Sequence, residues 1–306
     1  MCGNPLSSGD AIEALIVPRA SDVGGFEVQR ALPSKQRQMV GPFIFFDEMG
    51  PMEMLNGRSL DVLPHPHIGL ATVTYLMSGR LHHRDSLGTQ QWITPSDVNL
   101  MVAGRGITHS ERTDGVSLQG ADALHGVQSW VALPEHLEGV QPTFHHAAAA
   151  ASPVLADGGA HVRVILGGIF GARADVPTTS EMFYAEAILD SGAKLPLPDN
   201  QEDRAVYVLA GSVTVGNDVF QAGRMLVFRP KDALSLQAGP AGARLLLLGG
   251  ATMNGPRYIW WNFVSSSRER IREAKETWRA TDWENGIFSL PPLDNKAFVP
   301  LPVRRG

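Results

Sequence analysis

The chain has 306 residues, 43% of them hydrophobic and 19% charged, a balance that suits an ordinary globular protein with room for two cores of about 150 residues each. Its formal charge of −5 argues against a nonspecific grip on nucleic acid or an acidic membrane, both of which need a basic surface. One cysteine, Cys2, excludes an intrachain disulfide and any multi-thiolate zinc or iron–sulfur site, which fits a reducing cytoplasm.

In chain order, MCGNPLSSGDAIEALIV lacks the charged start and long apolar stretch of an export signal, and no later run approaches the roughly 18 to 20 apolar residues that cross a bilayer. Strand signals follow at 14–17 (ALIV), 42–48 (PFIFFDE), 71–77 (ATVTYLM), 98–104 (VNLMVAG) and 127–133 (VQSWVAL), separated by turn residues. With 32 Gly and 21 Pro to make turns and no long amphipathic helices between the strands, this half reads as an all-β sandwich or barrel. FHHAAAAASPVLADGG (144–159), with its alanine run and proline, reads as an interdomain linker holding at most one helical turn. Strands resume with HVRVILGG, YAEAILD, RAVYVLAGSVTVGN and ARLLLLGG. The expected division is therefore an N-terminal domain at 1–143, a linker at 144–159 and a C-terminal domain at 160–306.

Near the end, Ser266-x-x-Glu269 has the form of a capping box, and Ile271, Ala274 and Trp278 recur at helical spacing, predicting one amphipathic helix over 267–279. Arg268, Arg270, Arg272 and Arg279 interleave with Glu269, Glu273 and Glu276 on the other face, a solvated face or, as its alternative, a docking surface. The proline-broken PPLDNKAFVPLPVRRG is expected to lie extended over the body or to fray.

His65 and His67, answered by His109 and Glu111, carry the chemistry. Residues two apart in a strand share a face, so each pair forms a fork, and two forks brought together inside a barrel offer four donors to one metal ion. A lone strand histidine is usually a hydrogen-bonded or surface residue; two paired forks are harder to explain that way. Three imidazoles and a carboxylate suit ferrous iron, manganese, nickel, copper or zinc. His82 and His83 are adjacent and point to opposite faces, so both cannot join the set. His125, His136, His145 and His146 read as structural or solvated.

The two halves repeat one another. Laying Tyr75–Gly79 on Tyr207–Gly211 puts His65 and His67 opposite Leu197 and Asp199. Laying 102–111 on 227–236 puts His109 and Glu111 opposite Leu234 and Leu236. All ten histidines lie between His65 and His161, so the second half cannot build a histidine metal site.

VGPFIFFDEMGP (40–51), HPHIGLATVTYLMSGRLHHRDSLG (65–88), AGRGITHSER (103–112) and HGVQSWVALP (125–134) follow one another in the order and spacing of the pirins, and the chain resembles that family of the cupin superfamily. YVLAGSVTVG and WNFVSSSRERIREAK resemble the second pirin domain more loosely. The resemblance implies an all-β fold of two cupin-type (jelly-roll) β-barrels in tandem with a C-terminal α-helix. It also implies one divalent metal, Fe(II), in the N-terminal barrel, held by the residues that match the family's ligands: His65, His67, His109 and Glu111. The chain departs from the common pattern at Ile68, Ala71 and Glu48, where Arg, Glu and His are frequent.

Four protein ligands on an octahedral ion leave two positions open, which is what chemistry at a metal requires. Some bacterial pirins open the heterocyclic ring of flavonols such as quercetin with O2. The resemblance therefore implies a quercetin 2,3-dioxygenase-like oxidoreductase acting on a phenolic substrate in the cytoplasm, with Glu111 as a ligand that also accepts the substrate proton. The alternative is a metal- or redox-responsive regulator that binds a protein partner. A sugar-phosphate isomerase, a third reading, would need Arg80, Arg84, Arg105 and Arg112 to converge as phosphate anchors.

Overall fold

The computed structural model describes residues 11–23, 25–53, 60–116, 118–284 and 286–302; Cys2 and the last four residues lie outside them. The expected all-β class is found, with an α-helix at Arg268–Ala280. Contacts divide the chain into two compact units, each assembled from separated segments. One takes residues 20–28, 47–149 and 254–306, the other 1–19, 29–46 and 150–253. This differs from the division expected from sequence, because the C-terminal 53 residues, 254–306, join the unit that holds the histidines.

In that first unit a four-stranded sheet runs in the order 61–67, 107–112, 81–85, 90–93. A seven-stranded sheet contains the neighbours 143–147, 98–102, 70–78 and 124–132. Strand alternation decides what faces inward: in Leu81–Asp85 the side chains of Leu81, His83 and Asp85 are buried, while His82 and Arg84 are only partly so. Leu76, Leu81, Ile93 and Leu124 pack together in a hydrophobic cluster of this unit. At the turn after His67 the chain makes a close approach that only glycine allows. Gly69 has φ +66°, and a Cβ there would sit 2.0 Å from the Val264 carbonyl oxygen.

The second unit is built on a ten-stranded sheet whose main path is 12–16, 224–228, 203–215, 234–250, 182–189, 160–169, 154–157. Its hydrophobic core includes Leu195, Leu197, Leu236, Leu245 and Leu247.

Two boundaries move. Most of the expected linker is ordered: Thr143–Ala147 pairs with Val98–Val102, and Val154–Asp157 pairs with Ala160–Arg163, leaving a short 3-10 turn in the alanines at 149–151. The C-terminal helix is capped by Ser267 rather than Ser266, the Ser267 Oγ accepting the Arg270 N–H at 3.4 Å. Ser266 is otherwise engaged, donating its N–H to Glu138 Oε1 at 2.7 Å. Ser265 Oγ donates to the other oxygen of the same fully buried carboxylate at 2.6 Å. Ile271, Ala274 and Trp278 face inward as expected, packing with Ile68, Phe263 and Phe288. On the outer face Arg272 pairs with Glu269 and Glu276, a solvated arrangement. The tail through residue 302 lies extended over this unit, Val299 donating to the Pro64 carbonyl at 2.8 Å and accepting the Trp278 indole N–H at 3.0 Å.

Candidate metal centre

His65 and His67 end one strand, and His109 lies on the antiparallel strand beside it, directly paired with His65. The three rings meet with centroids 4.4 to 5.0 Å apart, all buried. Their facing nitrogens fall within 4.8 Å of one another, and His67 Nε2 is 3.1 Å from His109 Nε2. A second cluster shares His109: nitrogen and carboxylate atoms of His83, His109 and Glu111 also lie within 4.8 Å of one another. The structure thus gathers three of the four expected residues, His65, His67 and His109, in one group, and places Glu111 with His109 and His83 in the other. A bulge in the strand pairing between His109 and Glu111 accompanies this offset.

Hydrogen bonds fix the outer ring nitrogens. His65 Nδ1 donates to the Leu63 carbonyl at 2.9 Å, and His67 Nδ1 donates to the Asn262 carbonyl at 3.1 Å. Each ring therefore presents an Nε2 lone pair inward, the tautomer a metal ligand needs. Trp261, in the turn that offers the Asn262 carbonyl, has φ +53°, an uncommon conformation for a bulky residue. Thr74 Oγ1 lies 2.9 Å from Glu111 Oε1 and 2.8 Å from Gln128 Oε1. One hydroxyl proton cannot serve both oxygens, so the Gln128 amide, turned over, donates to Thr74 and Thr74 donates to Glu111.

Burial sets the charges. It pushes the His65 imidazole down to about 4, with the neighbouring His83 adding to the fall and the Leu63 carbonyl opposing it. Burial and the adjacent imidazoles hold His67 and His109 well below the usual histidine range. At neutral pH all three rings are neutral. Burial raises the Glu111 carboxyl, against the opposing effects of His83 and Thr74. Uncharged imidazoles with converging lone pairs beside a carboxylate form a donor set for a borderline or hard cation. The 3.1 Å between His67 and His109 Nε2 is close to the edge, about 3 Å, of an octahedron with bonds of about 2.1 Å.

The family's profile matches residues 25–131, and that of the pirin C-terminal cupin domain matches residues 184–284. A pirin-like protein of Caulobacter vibrioides is 44% identical over 294 residues, covering 95% of this chain and 99% of its own. The chain belongs to the pirin family. Its two units carry tandem cupin domains, as the resemblance implied. A Pseudomonas aeruginosa relative named "Putative quercetin 2,3-dioxygenase" is 37% identical over 289 residues, covering 91% of this chain and 90% of its own. The crystal structure of an Acinetobacter baumannii quercetin 2,3-dioxygenase superimposes with a TM-score of 0.86 at 33% identity, covering 95% of each chain.

The departures from the family pattern also find places. Ile68 packs against the terminal helix, Ala71 is buried between strand neighbours Val102 and Val131, and Glu48 lies 2.9 Å from His125 Nε2. Among the proposed phosphate anchors, Arg84 is held by both oxygens of Asp114, Arg112 by both oxygens of Asp294, and Arg80 lies over Trp92. His82 stacks on Trp92 and meets Asp114, on the opposite face from His83 as strand parity required. Parity alone assigned no role to His83, Asp85, Thr74 or Gln128. The alternation Leu81, His83, Asp85 could have drawn attention to an inward polar pair. Nothing local points to the Asn262 carbonyl, 195 residues from His67.

Proposed function

We propose that the chain holds one Fe(II) ion on His65, His67, His109 and Glu111 and acts as a quercetin 2,3-dioxygenase-like oxidoreductase on a flavonol-like phenol and O2. The observation that carries this reading is the convergence of three buried, neutral imidazoles, two of them, His65 and His67, with Nδ1 committed to a backbone carbonyl, and a carboxylate beside His109. Similarity to relatives named as quercetin 2,3-dioxygenases supports the reaction class. Ferrous iron supplies a Lewis-acidic anchor for a deprotonated phenol and the redox chemistry that O2 needs. Glu111 accepts the phenol proton on Oε2 while Thr74 holds Oε1, and burial, by raising its carboxyl, makes it a stronger base than an exposed glutamate. His65 and His67 keep their lone pairs inward because the Leu63 and Asn262 carbonyls take their protons.

The test is O2-dependent loss of quercetin absorbance by anaerobically iron-loaded protein, with His65→Ala/His109→Ala as control. Turnover absent from the control supports the reading, and Glu111→Gln should then keep its metal while losing about 10²–10⁴ in rate. Stoichiometric iron without turnover would overturn the substrate class and leave the metal assignment standing.

A further inference from the structure

We propose that His83 and Asp85 are a positioning pair for His109, fixing which of its ring nitrogens faces the metal. The proposal rests on the metal reading above and extends it by two residues that do not touch the ion.

The proton inventory can be followed atom by atom. His83 Nε2 lies 3.0 Å from Asp85 Oδ2, and Asp85 is fully buried. Its other oxygen, Oδ1, accepts the backbone N–H groups of Leu87 at 2.9 Å and Thr89 at 3.0 Å. Both carboxylate oxygens are therefore acceptors, and the His83 proton must sit on Nε2. That leaves the His83 Nδ1 lone pair facing His109 Nδ1 at 3.5 Å, the outer edge of hydrogen-bond reach. An Nδ1–H on His109 is the only state of that ring that meets this lone pair favourably, and it puts the His109 Nε2 lone pair beside those of His65 and His67. Phe144 stacks on the His83 ring, centroids 4.5 Å apart and planes at 24°, which holds it in this orientation.

A purely structural account covers half of Asp85. Its Oδ1 closes the turn through Gly88, and an aspartate there needs no further reason. The turn makes no use of Oδ2, of His83, or of the alignment of Asp85 and His83 with His109 on the neighbouring strand. For His109 the chain plays the part that backbone carbonyls play for His65 and His67: each of the three imidazoles has an acceptor on the nitrogen away from the metal.

Asp85→Asn separates the two roles. Its side-chain oxygen replaces Oδ1 toward the two backbone donors, so the turn survives, and its NH2 group then donates to His83 Nε2. The His83 proton moves to Nδ1, and His109 is driven to the Nε2–H tautomer. Two-bond ¹H–¹⁵N correlation spectra of histidine-labelled, metal-free protein read this directly. His109 should be Nδ1–H in the parent and Nε2–H in the variant. Co(II) affinity by titration calorimetry should fall ten- to a hundred-fold, with a shift in the cobalt d–d bands. His83→Phe, which removes the acceptor and can still stack on Phe144, should weaken Co(II) binding similarly. An unchanged His109 tautomer in Asp85→Asn, or parental Co(II) affinity in both variants, would overturn the proposal alone. Loss of one imidazole from the cobalt X-ray absorption count in His83→Phe would overturn it by making His83 a ligand. A parent protein that binds no Co(II) would overturn the metal reading and this proposal with it.

Discussion

One rung of strand pairing, read in each unit, shows what separates them. In the first, His65 stands opposite His109; in the second, Leu197 stands opposite Leu234, at the positions the internal repeat assigns to those histidines. The next inward pair in the second unit, Leu195 with Leu236, is buried in its core. The ladder is antiparallel in both cases, so the backbone does not distinguish a metal centre from a hydrophobic core. The difference lies in what each interior must satisfy. Leucines need only be packed, each contributing about 1.5–3 kcal/mol when fully buried. Imidazoles in the same place each need a partner on the outer nitrogen, which the first unit draws from Leu63, Asn262 and, by our proposal, His83.

The sharpest way to break the comparison is to make the first rung like the second. His65→Leu/His109→Leu should abolish stoichiometric metal binding, measured by elemental analysis after loading and desalting. Metal-free stability should hold or rise, since replacing both members of a buried polar pair by apolar groups is close to neutral. Retention of one metal per chain would remove these residues from the site.

Much of this contrast could be read from residues alone. Strand parity selected His65, His67, His109 and Glu111, and two ungapped alignments set His65 against Leu197 and His109 against Leu234, pairs that the strand registers reproduce. Such patterns are local, and period two survives any tertiary arrangement. What could not be read depends on contacts distant in sequence. Ser266 is drawn away from the helix cap by Glu138, which no pattern near residue 266 reveals. Phe144 and the strand around it were hidden by the alanine run that follows, which reads as a linker until Val98–Val102 supplies its partner. The return of residues 254–306 to the histidine-bearing unit follows from a shared apolar cluster around Trp278, and spacing along the chain carries no trace of it.

That cluster is a second point of contrast. The apolar core of the second unit is made of its own strands, whereas the first unit adds Ile271, Ala274, Trp278 and Phe288 from the chain's end, packed on Ile68 one residue after His67. Trp278 is 1% exposed, and Phe298 and Trp283 stand against its ring. Trp278→Ala should cost about 3–5 kcal/mol. Hydrogen exchange should register the loss in peptides spanning 61–68 and 107–112, while peptides over 195–197 and 234–236 keep their protection. Equal loss in both sets would show that the terminal segment stabilises the chain as a whole.

Acid titration sharpens the same contrast at lower cost to the fold, because the buried histidines among the described residues, His65, His67, His83 and His109, all lie in the first unit. In the folded, metal-free protein His65 is held to about 4, against 6.5 for the exposed side chain. Below pH 6.5 the unfolded chain takes up a proton that the folded chain refuses, so stability falls as pH drops from 6.5 and the loss levels off below about 4. For His65 the full loss is roughly 3 kcal/mol, from 1.36 kcal/mol per unit. His67 and His109 shift in the same direction and steepen the fall. Glu111, with its carboxyl raised by burial, has the opposite slope above its ordinary value and offsets part of it. Denaturant midpoints of the metal-free protein between pH 7 and 4 should therefore decline, and His65→Leu/His109→Leu should decline less. Parallel curves for the two proteins would show that the acid sensitivity arises elsewhere and that these imidazoles are not held neutral by burial.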